Sequence, residues 1–186
     1  PIAVAAVLRA GYVVVNVNPL YTARELEYQL QDSGAKAMVV IENFGSVLQQ
    51  CLANTPVQHV ILCAMGDQLS WLKGCLVNHV VRKVKKMVPD FELPMAIRFN
   101  EALARGAQLT LHQPELGPDD VAVLQYTGGT TGVSKGATLL HRNVAANVAQ
   151  AAQWLEPQIG STEGHVMLTA LPLYHVLALT ACCLFM

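Results

Sequence analysis

The sequence predicts an α/β fold, layered α/β/α, with a mostly parallel sheet. Apolar runs rich in β-branched residues alternate with segments of helical period, which is typical of right-handed crossovers between parallel strands. Hydrophobic residues make up 53% of the chain and the mean hydropathy is +0.36, which favours strands buried on both faces. The predicted strands cover residues 12–17, 36–41, 59–63, 121–125, 137–140 and 166–170.

Helices are predicted between these strands. Thr22 and Glu25 have the spacing of a capping box, in which a hydroxyl caps the helix and a carboxylate three residues later returns to the cap. This pair marks the start of a helix that ends at Ser33 and Gly34. Further helices are expected over residues 2–10, 44–53, 68–88, 99–105 and 142–154.

The helix expected over residues 68–88 is amphipathic and basic. No acidic residue lies between Asp67 and Asp90. One interpretation places residues 73–86 against an anionic membrane surface. The other is a solvated helix face. The apolar positions at helical spacing are Leu69, Leu72, Leu76, Val80, Val84 and Met87, and the basic ones on the opposite side are Arg82, Lys83, Lys85 and Lys86.

Length, charge and cysteine usage exclude several classes of protein. With 186 residues, the chain is long enough for about one domain. A net charge of −1 argues against a basic nucleic-acid binder. Five cysteines without CxxC spacing, and histidines without metal-ligand spacing, predict a reducing, cytoplasmic compartment and no metal site formed by the chain. The apolar stretch 166–186 is long enough for a membrane-spanning helix, but Pro172 and His175 interrupt it. It is therefore interpreted as buried core.

A glycine-rich loop directly follows the strand predicted at 121–125. Its four glycines permit a close approach of backbone N–H groups to an anion, and Lys135 adds a full positive charge. The hydroxyls of Thr127, Thr130, Thr131 and Ser134 are further donors. The loop is therefore predicted to bind phosphate. The predicted binding residues are Tyr126, Thr127, Gly128, Gly129, Thr130, Thr131, Gly132, Val133, Ser134, Lys135, Gly136 and Ala137.

Two common nucleotide motifs do not fit this loop. A Walker loop requires glycine immediately before its lysine and a serine or threonine after it. Here Ser134 precedes Lys135 and Gly136 follows it. The G-x-G-x-x-G spacing of the dinucleotide fingerprint does not occur in the loop either.

The string Tyr126-Thr-Gly-Gly-Thr-Thr-Gly-Val-Ser-Lys-Gly136 resembles the phosphate-loop signature of the acyl-adenylate-forming superfamily. Many members carry Ser where this chain has Gly128, and Pro where it has Ser134. The strings 14–22, Leu139-Leu-His-Arg-Asn143 and Leu171-Pro-Leu-Tyr-His-Val176 resemble bacterial long-chain fatty-acyl-CoA ligases. The resemblance implies that residues 1–186 are part of the large N-terminal AMP-binding domain of such an enzyme, without its small C-terminal domain.

The resemblance also implies a reaction. A fatty acid is activated by Mg²⁺-bound ATP to acyl-AMP, and CoA then displaces AMP. Thr130 and Lys135 are expected to stabilise the departing pyrophosphate, and His175 to lie near the reacting carboxylate. A hydrogen-bonded core histidine is the alternative for His175. Arg142 is interpreted as a surface residue at the start of a helix.

Two other functions stay open at this point. The chain is also compatible with an adenylate-forming enzyme that acts on an aryl, short-chain or amino acid, or with an inactive binding module. Because both ends look cut, residues 1–186 alone are expected to be inactive. A cytoplasmic location is expected, with possible peripheral contact at the inner face of the cell membrane.

Overall fold

The computed structural model describes residues 1–128, 134–160, 166 and 168–185. The chain divides into two compact units: Pro1–Asn18 together with His112–Met186, and Pro19–Leu111. Within the described residues, each unit has its own three-stranded sheet. The pairing between strands is parallel except between two strands of the first unit, which confirms a mixed α/β fold with mainly parallel sheet.

The helices and strands alternate over residues 2–127, as the sequence predicts, and a strand and two helices follow. In chain order they are α1 (Ile2–Arg9), β1 (Val14–Asn16), α2 (Ala23–Ser33), β2 (Ala37–Ile41), α3 (Gly45–Cys51), β3 (His59–Cys63), α4 (Trp71–His79), β4 (Ala96–Arg98), α5 (Phe99–Gly106), β5 (Val121–Thr127), β6 (Lys135–Leu140), α6 (His141–Ile159) and α7 (Val176–Leu179). Short 3-10 turns cover Glu42–Phe44 and Leu52–Asn54, and π-helical turns cover Val80–Val84 and Thr180–Leu184.

The unit Pro19–Leu111 has the strand order β2-β3-β4, all parallel. Leu30, Leu48 and Val60 are among its most deeply buried side chains, and they come from α2, α3 and β3. Helix α2 begins with the predicted capping box. The Thr22 hydroxyl accepts from the Glu25 N–H at 3.4 Å, and the Glu25 carboxylate accepts from the Thr22 N–H at 2.8 Å.

The other unit has the strand order β1-β5-β6. Strand β5 pairs in parallel with β1 and antiparallel with β6, so β5 and β6 form a hairpin. Val14, Ala122 and Val123 are buried at the centre of this sheet. Apolar side chains of α1, β6 and α6 pack against them: Val4, Val7, Leu8, Leu139 and Val144.

Some predicted boundaries are wrong. No strand forms in the described part of 166–170, where Val166 is 97% and Leu168 89% exposed, because an apolar run becomes a strand only with a pairing partner. The helix expected over 68–88 is α4 followed by the π-helical turn that ends at Val84. Strand β4 was not predicted, since its three residues lack a β-branched run.

None of the helices among the described residues has the length and apolar character that crossing a membrane requires.

Candidate functional site

The glycine-rich segment connects the two strands of the β5–β6 hairpin. Thr127 pairs with Lys135, Tyr126 with Gly136, and Gln125 with Ala137. The outer residues of the predicted loop, 126–127 and 135–137, therefore lie in the strands rather than in the loop. The antiparallel ladder continues up to Lys135, so this lysine is held at the mouth of the hairpin connection.

The middle of the predicted loop lies outside the described residues. This applies to Gly129, Thr130, Thr131, Gly132 and Val133. Their predicted contacts with phosphate, and the predicted catalytic role of Thr130, stay predictions.

The described residues at the mouth of the connection leave polar groups accessible. Thr127, Gly128 and Lys135 are exposed, and none of the described residues has an atom within 4 Å of the place that a Cβ on Gly128 would occupy. The Ser134 hydroxyl donates to the Thr127 carbonyl oxygen at 2.9 Å. In this arrangement Ser134 links the ends of the two strands, and its predicted contact with phosphate stays a prediction.

Tyr126 has a packing role at the base of the connection. It is buried, and its ring lies over the backbone of β6. A Cβ placed on Gly136 would be 3.0 Å from two carbons of this ring. The glycine at position 136 therefore lets the tyrosine ring cover the hairpin closely.

Gln125 is a functional candidate that the sequence reasoning missed. It is buried, its Nε2 donates to the Tyr174 carbonyl oxygen at 3.2 Å, and its Oε1 accepts from Asn16 Nδ2 at 3.4 Å. One side chain thus joins β1, the strand that leads into the loop, and the segment before α7. A glutamine inside the apolar run 121–126 was the signal, because a buried amide needs partners.

His175 follows directly after the backbone group that Gln125 holds. Its N–H donates to the Pro172 carbonyl oxygen at 3.0 Å, and its own carbonyl accepts from the Leu179 N–H at 2.9 Å, which starts α7. His175 is exposed, which disfavours the interpretation as a core histidine. The buried Gln125 side chain therefore holds the backbone directly before His175, whose side chain is accessible.

An apolar cavity of about 350 Å³ lies beside α7. Side chains from β6, from the first turns of α6 and from the chain after His175 line it. They are Leu139, Asn143, Val144, Asn147, Val176, Leu177 and Thr180. The cavity is thus lined by residues that follow His175 in the chain, and it is bounded by the strand that leaves the glycine-rich segment.

Other polar candidates have ordinary roles. Arg142 forms an exposed ion pair with Asp119, as expected for a surface residue at a helix start. His59, His79 and His112 are exposed. Among the residues that the structure describes, no group of three His, Cys, Asp or Glu side chains could hold a metal ion.

Comparisons with known proteins show which proteins this chain is similar to. The long-chain-fatty-acid–CoA ligase of Haemophilus influenzae is 56% identical over 185 residues, which cover 99% of this chain and 33% of the relative. The chain thus spans about a third of the length of the curated relatives it matches.

Solved structures are similar over nearly the whole chain. A long-chain-fatty-acid–CoA ligase from Archaeoglobus fulgidus is 27% identical with a TM-score of 0.62, covering 96% of this chain and 29% of that one. ATP-bound MatB from Rhodopseudomonas palustris is 25% identical with a TM-score of 0.56, covering 98% and 29%. The family described as AMP-binding enzyme matches residues 1–186, and the chain therefore belongs to this family.

Proposed function

We propose that the protein containing this chain is a long-chain fatty-acid–CoA ligase, and that residues 1–186 are part of its large AMP-binding domain. In the first half of the reaction a carboxylate oxygen attacks the α-phosphorus of ATP and pyrophosphate leaves. In the second half the CoA sulfur attacks the acyl carbon and AMP leaves. The 56% identity to a curated ligase of this kind supports the substrate class.

The mouth of the hairpin connection is the proposed site of the ATP phosphates. Negative charge grows on pyrophosphate as it departs, so fixed donors around it stabilise the transition state more than the ground state. The Lys135 ammonium and the Thr130 hydroxyl are proposed as such donors. The exposed position of Lys135 and the similarity to an ATP-bound structure support this role.

Mg²⁺ is proposed to arrive with ATP. In proteins this ion is usually held by one or two carboxylates together with the phosphates of the substrate, and it keeps several waters. Charge neutralisation of the polyphosphate is the chemistry that it would supply.

The cavity beside α7 is the proposed start of the acyl-chain site. Its lining is mainly apolar and includes Val176, the residue directly after the exposed His175. We propose that the reacting carboxylate accepts a hydrogen bond from this imidazole. The hydrogen bond from Gln125 to Tyr174 is the observation that carries the proposal. It ties β5, the strand before the phosphate loop, to the segment that holds His175. The proposed phosphate site and His175 are therefore both supported by β5.

The location of the enzyme is also part of the proposal. Free cysteines at positions 51, 63, 75, 182 and 183 favour the cytoplasm. Peripheral contact of residues 73–86 with the inner face of the membrane is proposed as well.

The ATP site can be tested with the full-length protein and the variant Lys135→Gln. We expect ATP–pyrophosphate exchange with palmitate to fall by about 10²–10³-fold, the usual cost of removing one donor from a developing oxyanion. Lys36→Gln, at an exposed lysine outside the proposed site, is the control and should keep full exchange. Unchanged exchange in Lys135→Gln would contradict the proposal.

A further inference from the structure

Strands β1 and β5 carry a pair of side-chain amides near their carboxyl ends. The parallel register places Asn16 opposite Gln125, two residues after the pair of Val14 and Val123. Because side chains alternate between the two faces of a sheet, the amides lie on the same face as these two buried valines. An apolar face therefore ends in two polar groups. In open α/β sheets, the carboxyl ends of parallel strands are where ligands bind.

The Gln125 amide has a partner for each of its polar atoms. Nε2 donates to the Tyr174 carbonyl oxygen at 3.2 Å and to the Tyr126 carbonyl oxygen at 3.4 Å. Oε1 accepts from Asn16 Nδ2 at 3.4 Å. Since a carbonyl oxygen only accepts, turning the amide over would place Oε1 against two acceptors and Nε2 against the Asn16 donor. The partners thus favour one orientation of the amide.

Asn16 supplies the donor that Gln125 Oε1 needs. Gln125 is only 8% exposed, so water has little access to this oxygen. A buried acceptor that loses its donor is costly. Without Asn16 Nδ2, the amide gains by turning or by moving toward solvent, and either movement weakens its hydrogen bond to Tyr174.

The hydrogen bond to Tyr174 acts on the peptide unit that joins Tyr174 to His175. Gln125 holds the carbonyl oxygen of this unit, and the N–H of the same unit, which belongs to His175, donates to the Pro172 carbonyl oxygen at 3.0 Å. A peptide unit is planar, so these two hydrogen bonds fix its plane. The direction in which the exposed His175 side chain leaves the backbone depends on that plane.

We propose that Asn16 is a positioning residue for His175, which acts through the Gln125 amide and the Tyr174–His175 peptide. The inference rests on the proposed ligase function, in which the imidazole donates to the reacting carboxylate. It adds a residue of β1 that lies outside both the glycine-rich segment and the segment around His175. A small misplacement of an orienting group lowers the rate strongly, so loss of the Asn16 donor affects the reaction of the acid.

The inference is tested by ATP–pyrophosphate exchange of the full-length protein at varied palmitate and varied ATP. Asn16→Leu removes the donor at similar side-chain size, and Asn16→Asp replaces it by an acceptor. We expect both to lower kcat/KM for palmitate about tenfold, the effect of losing one hydrogen bond. KM for ATP should change less than about twofold, because the imidazole contacts the acid rather than ATP. A merely structural role would not separate the two substrates.

A variant of His175 shows whether Asn16 acts through this residue. His175→Ala should lower exchange, and Asn16→Leu should cause no further loss in the His175→Ala background, because residues that act as one unit are not additive. A second tenfold loss in that background would overturn the inference. Wild-type kinetics in folded Asn16→Leu and Asn16→Asp would overturn it as well.

Asn43→Leu is the matched control. Asn43 is partly buried like Asn16, and its Nδ2 donates to the Met87 carbonyl oxygen at 3.1 Å in the other unit. This variant should lower the unfolding temperature and leave kcat/KM for palmitate unchanged. Thermal unfolding shows whether each variant is folded. Equal losses of kcat/KM in Asn43→Leu and Asn16→Leu would assign the effect to stability and contradict the inference.

Modification of histidines by diethyl pyrocarbonate separates this inference from the proposed function. The modification rate of His175, read by peptide mass spectrometry, should rise at least about twofold in the two Asn16 variants, since the segment opens more easily. The exposed His112 is the internal reference and should keep its rate. If the wild type shows no exchange with any fatty acid, the ligase proposal fails, while a faster modification of His175 still supports the link from Asn16. If exchange is present but neither kinetics nor modification changes in the Asn16 variants, the link fails and the ligase proposal stands.

Discussion

At Gly136 the backbone of β6 runs directly beneath the ring of Tyr126. Neighbouring residues on a strand point to opposite faces of the sheet, so Tyr126 and Gln125 have different tasks. The tyrosine covers the hairpin, while the glutamine reaches Asn16 and the backbone of Tyr174. The last residues of β5 thereby set both the shape of the hairpin mouth and the position of His175.

The tight contact at Gly136 leads to a prediction about single methyl groups. We expect Gly136→Ala to destabilise the protein by about 1–3 kcal/mol, because the new Cβ would overlap the Tyr126 ring and force it to move. ATP–pyrophosphate exchange should fall as well. Gly106→Ala is the control, since no atom of the described residues lies within 4 Å of the place that a Cβ on Gly106 would occupy and this glycine is outside the proposed site. Urea unfolding and the exchange assay measure both effects, and equal behaviour of the two variants would refute the packing argument.

Single residues also show why a sequence predicts donors better than their partners. The Ser134 hydroxyl is predicted to bind phosphate, which stays a prediction, and the structure shows a partner that the sequence did not indicate, the Thr127 carbonyl oxygen. This hydrogen bond depends on the separation of two strands across the hairpin, which spacing along the chain does not encode. Gln125 was missed for the same reason, because its partners are 109 and 49 residues away.

At the scale of elements, local signals predicted best. The capping box at Thr22 is confirmed because all of its atoms lie within four residues. The helical period of 68–88 correctly predicts a helix but not the side that packs. Gly74 allows the backbone to approach Gly66 closely, and this contact, together with the Arg82–Glu42 pair, outweighs the burial of Leu72 and Leu76.

A substitution of Glu42 tests how strongly its ion pair with Arg82 fixes the segment of α4 and the following turn. We expect Glu42→Gln to lower the free energy of unfolding by about 1–3 kcal/mol, because a buried amide replaces the carboxylate that accepts two hydrogen bonds from Arg82 and one from Arg98. The cost is limited because both arginines reach solvent.

The exposed ion pair of Glu101 and Arg105 provides the control. Glu101→Gln should change stability by less than about 0.5 kcal/mol, as is usual for a surface pair on one helix. Urea unfolding of the two variants side by side gives the comparison. A Glu42→Gln variant as stable as Glu101→Gln would show that the buried pair does not hold α4.

At the scale of the whole molecule, the resemblance predicted the family over all 186 residues, and the family match confirms it. The division into two units was not predicted. The second unit runs from Pro19 to Leu111, between two parts of the first unit. Such a division follows from which strands pair, and β1 pairs with β5, which is more than 100 residues away.

The final prediction concerns the acid that the proposed ligase prefers. Burying one methylene contributes about 0.8 kcal/mol, so kcat/KM should rise about fourfold per added methylene from octanoate upward, until the apolar site is filled.

Leu177 lines the cavity beside α7, and Leu177→Trp should shorten the site and flatten this rise for the longest acids. Leu109→Trp, at an exposed leucine outside the cavity, should leave the profile unchanged. The rate of acyl-CoA formation with each acid of the series gives kcat/KM as a function of chain length. Preference of the wild type for benzoate over every fatty acid would exclude the proposed substrate class, and an unchanged profile in Leu177→Trp would place the acyl chain elsewhere.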